Sequence, residues 1–241
     1  MLSILKKEIR SFLSSFIAYV VIVVFLLLIG LFTWVFADGN ILVLGHANLD
    51  TLFFMAPWVF TFLISAITMR SFSEELKQGT FELLRTKPIT DLQIVLGKFL
   101  ASVLLVLFAL LPTLIYVYSV YQLGQPMGNL DTGAIMGSYI GLLLLGASYV
   151  SIGLFASVIT PNQIVAFILG LFLCFFFYVG FQQMSNLSLF GTYDSLVQNL
   201  GIQVHYDSIS RGVVDSRDVI YFGSLIAVFL GLTQLILKRK A

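Results

Sequence analysis

Arg70–Lys98 reads RSFSEELKQGTFELLRTKPITDLQIVLGK and is the most charged stretch of an otherwise apolar chain. It carries five of the thirteen Lys and Arg residues and four of the twelve acids, in 241 residues that are 59% hydrophobic and only 10% charged. Charge at that density cannot sit in lipid, so this stretch must face water. The long apolar runs on either side of it are then membrane spans.

Working outward, six runs are long enough to cross a bilayer, at about 20 residues each. They cover approximately 16–37, 52–69, 99–121, 131–159, 162–181 and 219–237. None has an Asp, Glu, Lys, Arg or His in its interior, Asp131 standing at an end. The expected fold is therefore all-α and integral to the membrane, a single transmembrane domain over 1–241 with six helices. A mean hydropathy of +1.01 and 15% aromatic residues exclude an ordinary soluble domain. The fourth and fifth spans are joined only by Thr160-Pro161-Asn162, so they should form an antiparallel pair. Pro57 and Pro112 are expected to bend the second and third spans.

Residues 1–15 do not read as a signal peptide. Leu2, Leu5, Ile9, Phe12 and Phe16 recur at helical spacing, with Lys6, Lys7 and Arg10 on other faces. A cationic amphipathic helix of this kind lies along the membrane surface before the first span. With six spans, both termini share a side with 70–98, and that side holds eleven of the thirteen basic residues. Only Arg211 and Arg217 fall on the other. The bias makes the rich side cytoplasmic, so a multi-pass protein with both termini inside is expected. Of the outside segments, 182–218 is the longest, and Leu196, Val197, Leu200 and Ile202 suggest an amphipathic helical piece within it. Asp215-Ser216-Arg217-Asp218 looks like an N-cap with acids in the first turn, launching the last span.

No phosphate-cradling Gly-x-x-x-x-Gly-Lys-Ser/Thr loop, nucleophile elbow or His-Glu-x-x-His helix occurs. His46 and His205 are isolated and read as solvated loop residues; the one cysteine, Cys174, reads as a small buried hydrophobe. Gly137 and Gly141 form a GxxxG, followed by Gly146 and Gly153, which lets helices approach closely but marks no particular packing face. Ion-driven carriers usually keep a carboxylate or histidine at membrane depth. With none here, energy is expected from outside the chain, and no catalytic, cofactor-binding or metal residue is assigned.

The charged stretch could simply be a solvated loop that sets topology. Against this, Glu74–Arg85 has helix-forming composition, Gly79-Thr80 makes a break and Pro88 stops the pattern. Phe81, Leu83 and Leu84 are apolar residues in a water-facing segment, and covering them takes lipid or another protein.

Arg70-Ser-Phe-Ser-Glu-Glu, Gly79-Thr-Phe-Glu-Leu-Leu84, Thr86-Lys-Pro-Ile89 and Leu96-Gly-Lys-Phe99 together resemble the signature of ABC-2 type permeases. Ser210-Arg-Gly-Val-Val-Asp215 and Arg217-Asp-Val-Ile-Tyr-Phe222 are similar to that family's approach to its final span. Within the family, the chain is most similar to the gliding-motility-associated, GldF-type permeases of Bacteroidota. The resemblance covers essentially the whole length.

It implies a permease subunit of an ABC transporter in a bacterial inner membrane, an exporter associated with gliding motility, with an elbow helix at 1–15. It also implies a coupling helix between spans two and three that docks on a separate cytoplasmic ATPase, which alone would use ATP and Mg. On that reading Glu74, Glu75, Gly79, Thr80, Phe81, Glu82, Leu83, Leu84 and Pro88 carry the coupling. Arg211, Gly212, Asp215, Arg217 and Asp218 shape the approach to the last span. Expected partners are the ATPase, a second permease half (another copy or a GldG-like chain) and membrane lipids, with no nucleic acid. The alternative is a non-transporting scaffold that passes ATPase-driven motion to periplasmic proteins.

Overall fold

The computed structural model describes residues 2–36, 40–45, 47–81, 89–187 and 191–240. Among them there are helices and turns and no strand. Helix α1 (Leu2–Ser14) meets α2 (Phe16–Trp34) at a bend of 67° near Ser15. A short α3 (Ile41–Leu44) precedes α4 (Asp50–Gln78). Helix α5 (Asp91–Leu110) runs through a 3-10 turn, Leu111–Thr113, into α6 (Leu114–Leu123). Then come α7 (Thr132–Ile159) and α8 (Gln163–Phe175), the latter continuing through a π-turn at Phe176–Gly180 into α9 (Phe181–Asn186). The short α10 (Asp194–Gln198) and α11 (Ile202–Ser210) lead to α12 (Ser216–Arg239). Among the described residues, five helical segments are long and apolar enough to cross a membrane, or six if the bent α1–α2 pair forms one span.

Helices form here because lipid offers no partner for backbone N–H and C=O groups. Their starts are written locally. Thr90 and Gln93 form a reciprocal capping box at α5, and Asp131, Asn162 and Asp215 side chains accept from the first-turn N–H groups of α7, α8 and α12. Helix α4 ends at Gly79, which takes a left-handed φ of 66° open to glycine.

The structure moves two boundaries. Helix α4 continues past the apolar run to Gln78, and α5 begins at Asp91, before its apolar run. Both ends of the charged stretch are therefore helical extensions of spans, and Lys98 lies inside α5. The prolines also differ from each other. Pro112 interrupts its span with the 3-10 turn, where Thr113 Oγ1 donates to Leu110 O at 2.6 Å and sits 2.9 Å from Tyr139 Oη. At Pro57, α4 runs on unbroken.

Helix α7 is the axis of the bundle. Its glycines mark three different contacts: Gly137 abuts the Ile209 carbonyl and Gly212, Gly146 meets Val106 of α5, and Gly153 meets Thr68 of α4. Near its end, Ser157 Oγ donates to Met69 O and accepts from the N–H groups of Phe72 and Ser73, stitching α7 to α4. Thr61, Ser65, Thr68, Ser148 and Thr233 return their hydroxyls to the carbonyl four residues back, which lets polar side chains lie buried in spans.

Candidate functional site

Helix α1, the ends of α4 and α7, the start of α5 and the C-terminus share one end of the bundle. Lys240 Nζ donates to Val158 O and Ile159 O at 2.7 and 3.1 Å, capping the carbonyl end of α7. At this end sits a buried ionic cluster. The Lys98 side chain is 2% exposed; its Nζ donates to Glu8 Oε1 at 3.0 Å and to Ser71 O at 2.6 Å, and lies 3.0 Å from Glu75 Oε2. Lys7 Nζ donates to Glu75 Oε1 at 2.9 Å and is 3.6 Å from Glu8. The Phe72 ring centroid is 5.1 Å from the Lys98 ammonium.

Two ammonium groups thus face two carboxylates, and the cluster is neutral as a unit. Burial pulls the Lys7 pKa down, but the hydrogen bonds and charges of Glu75 and Glu8 outweigh it and hold the group above its ordinary value. A buried pair of this kind adds little net stability over apolar packing. Removing one partner, however, strands a charge, at a cost of about 3–5 kcal/mol. Arg70 and Glu74 pair beside the cluster through a two-pronged contact at 2.9 and 3.2 Å. A cavity of about 450 Å3 opens against these groups.

The residues expected to carry coupling are distributed as follows. Glu74 and Glu75 are on the last turns of α4, facing Arg70 and the Lys7–Lys98 pair respectively, so both carboxylates are engaged within the chain. Gly79 is the helix terminus, with open space around it, and Thr80 follows. Phe81 is 4% exposed and packs edge-on against Phe72 at 6.5 Å, inside the core of this end. Glu82, Leu83, Leu84 and Pro88 lie outside the described residues.

At the opposite end, α11 packs into the mouth of the bundle. Gly212 has a left-handed φ of 89° and backbone contact with Gly133 and Ala134, so it brings the chain from α11 tightly over the start of α7. Asp215 starts α12 by accepting from the Arg217 N–H at 2.9 Å. Burial pushes the Asp207 carboxyl up, and nearby Arg211 partly offsets this. His205, expected as a solvated loop residue, is instead tied in: Nδ1 lies 2.7 Å from Asp218 Oδ1, Nε2 lies 2.9 Å from Asn199 O, and the ring stacks on Tyr221 at 3.8 Å. Asp218 is 5% exposed. His46 lies outside the described residues. The amphipathic piece expected around 196–202 spans two helices: Ile202, the first residue of α11, is buried, whereas Leu196 on α10 and Leu200 between the helices are exposed.

Between the ends, an apolar groove of about 460 Å3 runs along α2, α4 and α8, lined by Val24, Leu28, Trp58, Phe62 and Phe167 among others and by no charged side chain. Among the described residues, no group of three or more His, Cys, Asp or Glu side chains could hold a metal ion. The arrangement offers electrostatic anchoring at one end and apolar surface along the membrane.

Comparison with protein-family models matches residues 2–240 to the family described as ABC-2 family transporter protein. Comparison with curated proteins gave no match.

Proposed function

The chain belongs to the ABC-2 transporter family, and from that membership we propose how it works as the membrane permease subunit of an ABC transporter. The observation that carries the proposal is the family match over residues 2–240, in a chain whose described residues form helices long and apolar enough to cross a membrane. Members of the family are membrane subunits without an ATPase site of their own, and they work with a separate ABC ATPase.

In our reading, the end bearing α1, Gly79 and the C-terminus is cytoplasmic, in a bacterial inner membrane. The support is the excess of basic residues there, eleven of thirteen. Helix α1 acts as the elbow helix, and residues 79–88 present the coupling segment to the ATPase. That subunit, using ATP and Mg, drives the conformational change. A second permease half, either another copy or a GldG-like chain, completes the pathway. The uncharged groove along α2, α4 and α8 favours an apolar or lipidic cargo over a charged solute. Export, and the narrower role in gliding motility, rest on the resemblance of the 70–99 and 210–222 motifs to gliding-associated permeases.

The test is Leu84→Asp in the full chain co-expressed with the ATPase. A charge at a docking anchor costs about 2 kcal/mol or more. The variant should remain inserted and stable while ATPase association falls by at least tenfold, and Lys6→Ala should change it little. Wild-type association in both Leu84→Asp and Gly79→Pro would refute a docking role for the segment.

A further inference from the structure

Lys98 touches two helices other than its own. It meets Glu8 on α1, and Ser71 and Glu75 on α4, with Lys7 closing the ring from α1. At 2% exposure the Lys98 ammonium is enclosed almost wholly by these protein partners. Drawing any one helix away leaves unpaired charge in apolar surroundings, so the three helices separate together or stay together. The cluster is neutral within itself and needs no further ion.

Its position also matters. Glu75 is one turn before Gly79, where α4 ends, and Lys98 is about two turns after the Thr90 cap of α5. The cluster therefore spans both roots of residues 79–90. Arg70 and Glu74, paired with each other, are the charged neighbours on α4.

We propose that Lys98, with Glu8 and Glu75, is a positioning residue that locks α1 to the roots of α4 and α5, so that the three move as one body when a partner pushes on residues 79–90. The lock itself stands on the geometry; the push rests on the permease reading above. Unlike a hinge, a lock requires that α1 and α5 keep their separation while both move relative to α8.

The experiment uses the full chain with its co-purified ATPase in phosphatidylethanolamine–phosphatidylglycerol nanodiscs. Spin labels are placed in pairs at Leu13 and Leu92, and at Leu13 and Ile164, all exposed positions. In the wild type, the Leu13–Leu92 distance should stay narrow and unchanged between the nucleotide-free and ATP–vanadate states, while Leu13–Ile164 shifts. Glu8→Gln should broaden Leu13–Leu92, speed amide exchange in α1 by roughly tenfold and abolish the Leu13–Ile164 shift. ATPase binding should change less than about twofold, since a residue that merely stabilised the fold would not separate binding from motion.

Lys98→Met should behave alike; if it fails to insert, Glu8→Gln still decides, because Glu8 lies on the helix before the first span. A narrow Leu13–Leu92 distribution with wild-type α1 exchange in Glu8→Gln overturns the lock, as does a nucleotide-dependent Leu13–Leu92 distance in the wild type. If the wild-type chain captures no ATPase, the permease reading fails separately, and the nucleotide-free distances and exchange still decide the lock.

Discussion

Pro57 lacks the N–H that would have bonded Phe53 O one turn earlier in α4, and lipid cannot replace it. The structure fills that vacancy from the far side of the sequence: Tyr206 Oη, on α11, donates to Phe53 O at 2.7 Å and is buried. A span that keeps its course over a proline thus depends on a tyrosine about 150 residues away. Tyr206→Phe should cost about 1–3 kcal/mol, because it leaves a buried carbonyl unpaired. In a Pro57→Ala background, the new amide can serve Phe53 O, so the same substitution should cost clearly less. Unfolding of the purified chain in bicelles, for wild type, both single variants and the double, measures this; equal losses in both backgrounds would contradict it. Neither proline nor tyrosine announces the other in sequence. Lys98 is similar, since its partners are residues 8, 71 and 75, and nothing local marks it as buried. One local signal did exist: the Thr90-x-x-Gln93 capping box places the start of α5 before its apolar run and so puts Lys98 on a helix.

Among the elements, α11 depends on small residues of α7. A methyl group added at Gly137 would sit 2.5 Å from the Ile209 carbonyl oxygen and 2.9 Å from Gly212 Cα, both backbone atoms that cannot swing aside. Gly137→Ala should cost about 1–3 kcal/mol and raise amide exchange across α11. Gly223→Ala, with nothing within 4 Å, should cost nothing measurable. Equal behaviour of the two variants would show that α11 is not seated on α7 as described. The spans themselves were legible, because continuous apolar runs have only the helical solution in lipid. The GxxxG at 137–141 was visible as a close-approach motif, yet its partner was not, since α11 arrives through a loop of mixed composition. The seat of His205 against Asp218 was hidden for the same reason: 13 residues and a turn separate them.

Across the whole molecule, burial is uneven. In their most apolar windows α7 is 78% buried, whereas the continuous α8–α9 span (Gln163–Asn186) and α12 are each only 22% buried. Two spans therefore offer most of their surface outward, to lipid and to the proposed second permease half. The charged end is the complement: Lys7, Glu8, Glu75 and Lys98 pair with one another, as do Arg70 and Glu74, and the exposed Gly79 ends α4 beside them. Membership of the ABC-2 transporter family implies a partnering ABC ATPase, and dependence on that subunit is the central claim. The most direct measurement is purification of the tagged full-length chain from its native membrane in mild detergent, with mass spectrometry of co-purifying chains and an ATP hydrolysis assay on each fraction. The account predicts a stoichiometric ATP-binding-cassette subunit, with hydrolysis that follows the complex and is absent from the isolated chain. Hydrolysis by this chain alone, or a functional complex containing no nucleotide-hydrolysing subunit, would contradict it.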